Sequence, residues 1–201
     1  YVDTGPMYRA VTLFALRRAL FNADGSVKAD QLEMLMPEIN ISFRLNVSSG
    51  CPETMLNGEC VEKEIRGIEV SSHVSPISAL PFVRKTLVSQ QQRMGKDKGV
   101  VMDGRDIGTT VFPDAELKIF VTASTEVRAL RRYKELLAKG MPADFEVIKK
   151  NVEERDYIDT HREVSPLKKA DDAILLDNSF LTIDEQNKWL LDQYQKVASE
   201  A

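Results

Sequence analysis

Cysteine is scarce in this sequence. Cys51 and Cys60 are the only two in 201 residues, too few for a disulfide framework. Free thiols in a reduced, cytoplasmic protein are therefore expected. Histidine is equally scarce: His73 and His161 stand alone, with no Cys/His cluster at ligand spacing, so no metal site is expected in this chain. Positive charge is not in excess. Lys and Arg number 27 against 31 Asp and Glu, a net charge of −4, which argues against a general nucleic-acid coat. A small anionic ligand held by a few local arginines remains compatible with that balance. No apolar run is long enough to span a bilayer, and no secretory signal opens the chain, so no membrane partner is expected. Internal repeats, low-complexity stretches and a nucleophile–base signature are all lacking.

What is present is ordinary for a globular protein: 43% hydrophobic and 29% charged residues, with enough length to bury a core. One domain with a small insertion is expected. Tyr1-Val2 reads as the tail of a strand, so the opening residues resemble the middle of an element. Thr4 is placed to cap a helix, with Pro6 in its first turn and Met7, Val11, Phe14 and Ala15 at helical spacing. That helix is expected to stop near Asn22 to Gly25. A second runs from Ala29 to Met36, ending at Pro37. Ile39, Ile41, Phe43, Leu45 and Val47 then alternate with mostly polar residues, the period of a half-buried strand. Asn57-Gly58 between two short strands is a strong hairpin signal, so residues 40–61 read as a small antiparallel sheet. A helical run over 62–74 is expected to stop at Ser75-Pro76, and another starts at Pro81 and continues to Met94.

From Gly99 the pattern is α/β. Apolar runs at 100–102, 117–121 and 173–176 read as buried strands. Between and after them lie helices from Ser124 to Ala138, closed by Gly140, from Pro142 to about Val164, and from Leu181 to Val197. This alternation predicts a parallel sheet covered by helices on both faces.

Ligands in open parallel sheets sit at the carboxyl ends of strands. Three such ends carry Asp3-Thr4-Gly5, Asp103-Gly104-Arg105-Asp106 and Asp177-Asn178-Ser179. The second places two carboxylates and a guanidinium within four residues; as a turn it reads equally well as a solvated surface ion pair. Arg155, Asp159 and Arg162 follow at i, i+4, i+7, within about 60° of helical arc. Phe145, Ile148 and Val152 lie close to the same stripe, so the core-facing side turns from apolar to charged partway along. An inward site for an anionic, hydroxyl-bearing ligand fits these side chains, because arginine forks match phosphate and a carboxylate accepts from hydroxyls. Arg9, Arg84, Arg128, Arg131 and Arg132 each read, taken alone, as snorkelling surface arginines. Their convergence on strand ends favours phosphate binding. Ser75 before Pro76 reads as a simple helix stop.

Several stretches resemble one family. Residues 1–9, YVDTGPMYR, look like the segment after the P-loop helix of bacterial cytidylate kinases. Residues 103–115, DGRDIGTTVFPDA, are similar to that family's DGRDxGTxVFPDA stretch. Arg155 to Arg162, with Pro166-Leu167, Ala170, Asp172-Ala173 and Leu176-Asp177, resemble its RDxxDxxR…PLxxAxDAxxLD block. The resemblance implies a P-loop nucleoside monophosphate kinase fold, an α/β parallel sheet flanked by helices with a small antiparallel NMP-binding insertion. By that resemblance residues 30–76 are the insertion, and 1–29 with 77–201 the core, with a lid at about 128–162. It further implies that Ser75, Arg84 and Asp106 read the cytosine edge. Arg9, Arg105 and Arg162 would grip the CMP phosphate, Thr4 and Tyr8 would lie in the substrate site, and Arg155 and Asp159 would meet the ribose. Arg105, Arg162 and Arg132 would act in catalysis, and Arg128 and Arg131 toward ATP at the lid.

The implied reaction converts CMP or dCMP with ATP to CDP or dCDP, with Mg²⁺ required, in a cytoplasmic monomer. Related kinases for UMP or dTMP, and a non-catalytic nucleotide-binding protein, are the competing readings. The chain contains no GxxxxGK[ST] loop for the ATP phosphates. A strand–loop–helix unit of roughly 30 residues is expected ahead of Tyr1, and without it the chain is expected to be inactive alone. Pro6 and Asn178 stand where other small residues are expected from the family.

Overall fold

A computed structural model describes residues 1–200. The chain forms two compact units, Tyr1–Ile107 with Arg162–Val164, and Gly108–His161 with the residues from Ser165 onward. The first unit begins with β1 (Val2–Asp3) and α1 (Gly5–Arg17). Pro6 sits in the first turn of α1, where its missing N–H costs nothing. The Thr4 hydroxyl does not cap this helix, contrary to expectation: it donates to the Asp103 carbonyl at 2.8 Å, and the Asp3 carboxylate takes the Gly5 N–H instead at 2.9 Å. Met7, Ala10, Val11 and Ala15 are fully enclosed along one stripe of α1.

α1 ends at Arg17, short of the expected Asn22–Gly25. Ala19 adopts φ 51° there, and the reversal that follows buries Leu20 and closes with a Phe21–Val27 bridge. α2 (Ala29–Leu35) follows, and Pro37 sits within a short 3-10 turn after it rather than ending the helix. β2 (Ile41–Leu45), β3 (Pro52–Leu56) and β4 (Glu59–Cys60) form the expected antiparallel sheet, in that order. Asn57 and Gly58 both take positive φ, 51° and 85°, the geometry that lets a two-residue hairpin follow the strand twist. Cys51 and Cys60 are free and exposed.

The helix expected to stop at Ser75-Pro76 instead runs through it. A 3-10 turn at Glu64–Arg66 precedes α3 (Ile68–Ala79), and Pro76 lies inside α3. Proline forfeits one hydrogen bond there, but Val74 and Ile77 on either side are buried in the core, which offsets the loss. Leu80 is extended, as a residue before proline prefers, and Pro81 opens α4 (Pro81–Met94) as expected. Val83, Arg84, Leu87 and Gln91 form its buried side. β5 (Met102–Asp103) pairs in parallel with β1. The core of this unit joins Met7, Val11, Leu32, Ile65, Ile77, Val83 and Leu87.

The second unit contains β6 (Ile119–Thr122), α5 (Thr125–Ala138), α6 (Phe145–His161), β7 (Ile174–Asp177) and α7 (Ile183–Glu200). Ser124 caps α5 by accepting from the Val127 N–H, as expected. α6 starts later than Pro142, because Asp144 is its cap and accepts from the Val147 N–H at 3.0 Å. It ends at His161, not Val164, ahead of Ser165 at φ 49° and Pro166. β6 and β7 are parallel, with Ile119 opposite Ile174 and Thr122 opposite Asp177. The parallel strands therefore form two pairs, β1 with β5 and β6 with β7, flanked by helices, where the sequence pattern suggested one ladder. Among the described residues, no helix is long and apolar enough to cross a membrane.

Candidate functional site

The paired strands β1 and β5 place Asp3 directly opposite Asp103. The turn after β5 has to pass close to Thr4. A Cβ on Gly104 would lie 2.5 Å from the Thr4 hydroxyl, so only glycine fits between them. Thr4 is itself locked, with both its hydroxyl and its N–H bonded to the Asp103 carbonyl. Tyr1 donates to the Asp103 carboxylate at 2.9 Å. Burial pushes the Asp103 carboxyl above its ordinary range, and the neighbouring Asp3 carboxylate adds to the rise.

Immediately beyond this turn lies a buried ionic cluster. Asp106 is 5% exposed and Arg84 is 2% exposed, and the two form a hydrogen-bonded ion pair. Arg162, also buried, approaches the other Asp106 oxygen at 4.0 Å. Arg84 is further held by the Ser78 carbonyl at 3.1 Å. Its guanidinium carbon stands 5.5 Å from the centroid of the Tyr8 ring, within cation–π range. Burial raises the pKa of the Tyr8 hydroxyl; the Arg84 charge opposes this and the Asp106 charge adds to it. Taking such charges from water costs several kcal/mol per ion even after relaxation, on the order of what a whole domain can spare. Hydrophobic side chains of the same volume would pack as well. A buried Arg–Asp–Arg set is therefore better explained by recognition of a polar ligand than by stability.

Arg9 extends from α1 to the start of α3, donating to the Ile65 carbonyl at 3.0 Å and to the Ser71 hydroxyl at 2.8 Å. Ser75 is half-buried on α3, and its carbonyl accepts from Ser78. Arg105 is exposed on the turn between Gly104 and Asp106. The first unit thus contains eight of the residues singled out from the sequence: Thr4, Tyr8, Arg9, Ser75, Arg84, Arg105, Asp106 and Arg162. Four of them, Tyr8, Arg84, Asp106 and Arg162, meet around Asp106.

The second unit carries the others. Arg155 and Asp159 face each other along α6 at 3.9 Å, and Asp159 is buried. Arg162, which the i, i+4, i+7 spacing placed on the same helix, lies just past its end. The Leu167 N–H donates to the Asp159 carbonyl where the chain turns toward Pro166. Arg128 on α5 forms a two-pronged bond to Asp156 on α6, at 2.9 and 2.5 Å, and also bonds the Ala123 carbonyl. Arg131 is bonded to the Asn178 side chain and carbonyl, at 3.0 and 2.7 Å. Arg132 pairs with Glu135 one turn away. The Asp177-Asn178-Ser179 strand end is closed on itself, with Asp177 accepting from both the N–H and the hydroxyl of Ser179.

Sequence reasoning passed over Gln91, Asp156 and the pairing of Asp3 with Asp103. Arg84 and Gln91 share the buried side of α4 at i and i+7, so a polar residue recurring on an apolar stripe was the available signal for Gln91. Asp156 gave none, because its partner lies on another helix.

Comparison with known proteins shows the family. A family model described as cytidylate kinase matches residues 1–196. A cytidylate kinase from Bacteroides fragilis is 63% identical over 197 residues, 98% of this chain and 86% of that protein. One from Bacteroides thetaiotaomicron is 60% identical over 200 residues, 100% of this chain and 87% of that protein. One from Porphyromonas gingivalis is 58% identical over 198 residues, covering 98% and 85%. A match of this extent, running through both units, means that the chain belongs to the cytidylate kinase family, enzymes of the nucleoside monophosphate kinase class.

Proposed function

We propose that this enzyme transfers a phosphoryl group from ATP to CMP or dCMP, and that the cluster around Asp106 is where the cytosine is read. The buried Arg84–Asp106 pair carries this reading. A carboxylate accepts from the exocyclic amine of cytosine, where uracil offers a carbonyl. A site built for that bond rejects the wrong base, because a buried polar group is then left unpaired. Ser75 completes the base contact. Arg9, Arg105 and Arg162 hold the acceptor phosphate, with Thr4 and Tyr8 beside it. By the family resemblance, Arg155 and Asp159 meet the ribose, residues 30–76 form the nucleotide-binding insertion, and a lid at about 128–162 carries Arg128, Arg131 and Arg132.

Phosphoryl transfer asks little covalent chemistry of the protein, so positioning and charge neutralisation carry the rate. The arginines offset repulsion between two anionic nucleotides. The attacking phosphate oxygen is already ionised at neutral pH, and no general base is required. Closure of the lid excludes water, which otherwise competes as acceptor.

The residues present fit Mg²⁺ in part. This ion is held by one or two carboxylates together with substrate phosphates, and keeps several waters. Asp3 and Asp103, side by side on β1 and β5, are carboxylates of the kind such an ion takes, although among the described residues no group of three or more potential ligands comes together. A divalent cation would offset the Asp3 charge, which adds to the rise that burial imposes on the Asp103 carboxyl. When bound, Mg²⁺ neutralises phosphate charge. The sequence contains no GxxxxGK[ST] loop of the kind that cradles an ATP triphosphate.

Steady-state transfer from ATP to CMP, dCMP, UMP and dTMP, using the protein with its entire encoded sequence, tests the assignment. CMP and dCMP should show the highest kcat/KM. A preference for UMP or dTMP, or nucleotide binding without transfer to any of the four, would overturn it.

A further inference from the structure

The turn that follows β7 grips α5 at two points. The Ser124 N–H, at the start of the helix, donates to the Ser179 hydroxyl at 2.9 Å. Two turns further on, Arg131 closes a fork on Asn178, with one guanidinium nitrogen on the side-chain oxygen at 3.0 Å and the other on the backbone carbonyl at 2.7 Å. Positions two turns apart share one side of a helix, so the two attachments fix both the place of α5 and its rotation about its axis. The turn is itself anchored: the Asn178 N–H donates to the Thr122 carbonyl at 2.9 Å, and Asp177 accepts from both the N–H and the hydroxyl of Ser179.

Behind Asn178 stands Gln186, in the first turn of α7. The Asn178 Nδ2 donates to the Gln186 Oε1 at 2.6 Å. This relay has only one sense. A guanidinium donates and never accepts, so the atom of Asn178 that faces Arg131 is its oxygen. The amide nitrogen is then turned toward residue 186, which must offer an acceptor, and Gln186 does. Asn178 and Gln186 are both half-buried, while Arg131 is exposed. The fork on Asn178 uses two of the five N–H donors of a guanidinium and leaves the others for an anion. Arg128, one turn earlier on α5, is committed elsewhere, to Asp156 on α6.

We propose that Asn178 and Gln186 are positioning residues for Arg131: Gln186 sets the orientation of the Asn178 amide, and Asn178 holds the guanidinium ordered at the end of β7 before the ATP phosphates arrive. The proposal rests on the reading given above that Arg131 acts toward ATP at the lid. Neither Asn178 nor Gln186 touches the nucleotide. Ordering a long side chain at the moment of binding costs the equivalent of about 2- to 10-fold in affinity, and an arginine already held is spared that loss. Exposed polar contacts of this kind add little to stability, so the effect should be read in ATP affinity rather than in the melting temperature.

The test compares Arg131→Ala, Asn178→Ala, Asn178→Asp and Gln186→Met in the protein with its entire encoded sequence, by steady-state kinetics, calorimetric binding of ATP and thermal denaturation. Asn178→Ala should raise both KM and Kd for ATP by about 2- to 10-fold. KM for CMP and kcat should stay nearly constant, and the melting temperature within about 4 °C of the parent. Asn178→Asp keeps an oxygen toward Arg131 and should retain most of the ATP affinity. Gln186→Met removes the acceptor that orients the amide and should give a smaller rise in the same direction. In the Arg131→Ala background, Asn178→Ala should add nothing. Unchanged ATP affinity in Asn178→Ala, an equal rise in KM for CMP, or the same effect with and without Arg131, would overturn the proposal. Should Asn178→Ala fail to fold, Gln186→Met decides: no change refutes the proposal, and a rise confined to ATP sustains it. If Arg131→Ala itself leaves ATP affinity unchanged, the ATP-side role of Arg131 fails and takes the proposal with it, an outcome distinct from failure of Asn178→Ala alone.

Discussion

Replacing Asp106 with alanine removes the carboxylate that Arg84 and Arg162 share. Both guanidiniums are buried, Arg84 at 2% and Arg162 at 8% exposure, so solvent screens neither well. Truncating one partner of a buried ion pair typically costs about 3–5 kcal/mol, because a charge stays behind without its counter-ion. For a protein of this size each kcal/mol lowers the melting temperature by about 2–4 °C, so the variant should melt roughly 6–20 °C below the parent. The same change removes the carboxylate proposed to accept from the cytosine amine. The parent should gain about 2.7 kcal/mol of stability from CMP supplied at a hundred times its Kd, while the variant should gain little. Thermal denaturation with and without CMP reads both effects in one experiment. Asp106→Asn separates charge from shape: it retains an acceptor oxygen but not the negative charge. It should therefore lose stability while keeping part of its response to CMP. A loss under about 1 kcal/mol in Asp106→Ala, the size of an exposed pair, would refute the claim that this cluster is a desolvated unit. A full CMP shift in that variant would remove Asp106 from the base site.

Three further perturbations have defined outcomes. Gly104→Ala puts a Cβ 2.5 Å from a Thr4 hydroxyl that is already bonded to Asp103, so the turn must shift and stability should fall by about 1–3 kcal/mol, measured by urea denaturation. Glu62 is partly buried, which pushes its carboxyl up, but bonds from the Thr54 hydroxyl and N–H and from Arg66 more than offset this and hold it below its ordinary value of 4.5. Its contribution to stability is therefore complete above that value and disappears as pH falls through the lower folded pKa; Glu62→Gln should flatten this part of the urea midpoint's acid dependence, and an unaltered profile would count against it. Asp159→Asn should raise KM more for CMP than for dCMP if the carboxylate accepts from the 2′-hydroxyl, and equal losses for the two substrates would exclude that contact.

Local signals were legible where one short-range interaction decides the geometry. Asn57-Gly58 reads as a hairpin because both residues tolerate positive φ, and both adopt it. Ser124 reads as a cap because its hydroxyl reaches an N–H three residues ahead. Pro81 marks the start of α4 because proline favours a helix's first turn. Prediction failed where a tertiary term overrode a local one. Pro76 sits inside α3 because burial of Val74 and Ile77 outweighs a missing bond. Thr4 does not cap α1 because the Asp103 carbonyl, ninety-nine residues away, is the better partner. The candidate site divides in the same way. The residue types and the turn were visible, but the pairing of Arg84 with Asp106 spans 22 residues and two elements, and no periodicity encodes it. Extending the helical face from Arg155 to Arg162 failed because α6 ends one residue too early.

The two sets of charged side chains are held by different forces, and this bears on how each can work. Arg84 projects from a helix whose neighbouring turns are locked by Val83 and Leu87, both enclosed in an apolar core with Met7 and Ile77. Moving its backbone would open cavities, and emptying one such site costs about 2–5 kcal/mol. The residues proposed to read the base are thus placed before any ligand arrives, as recognition of a single hydrogen-bond pattern requires. α5 and α6 pack against each other with few buried apolar residues; Ala129 and Asp159 are the buried positions on them. Their cross-links are partly exposed ion pairs such as Arg128–Asp156, with roughly a third of each side chain in water. Pairs of that kind contribute about 0.2–1 kcal/mol each, too little to hold a single conformation against thermal motion. Segments so held open at low free-energy cost. A helical pair with that economy of packing suits a lid, which has to open and close on every turnover, whereas the enclosed Arg84–Asp106 pair suits a pocket that must not move.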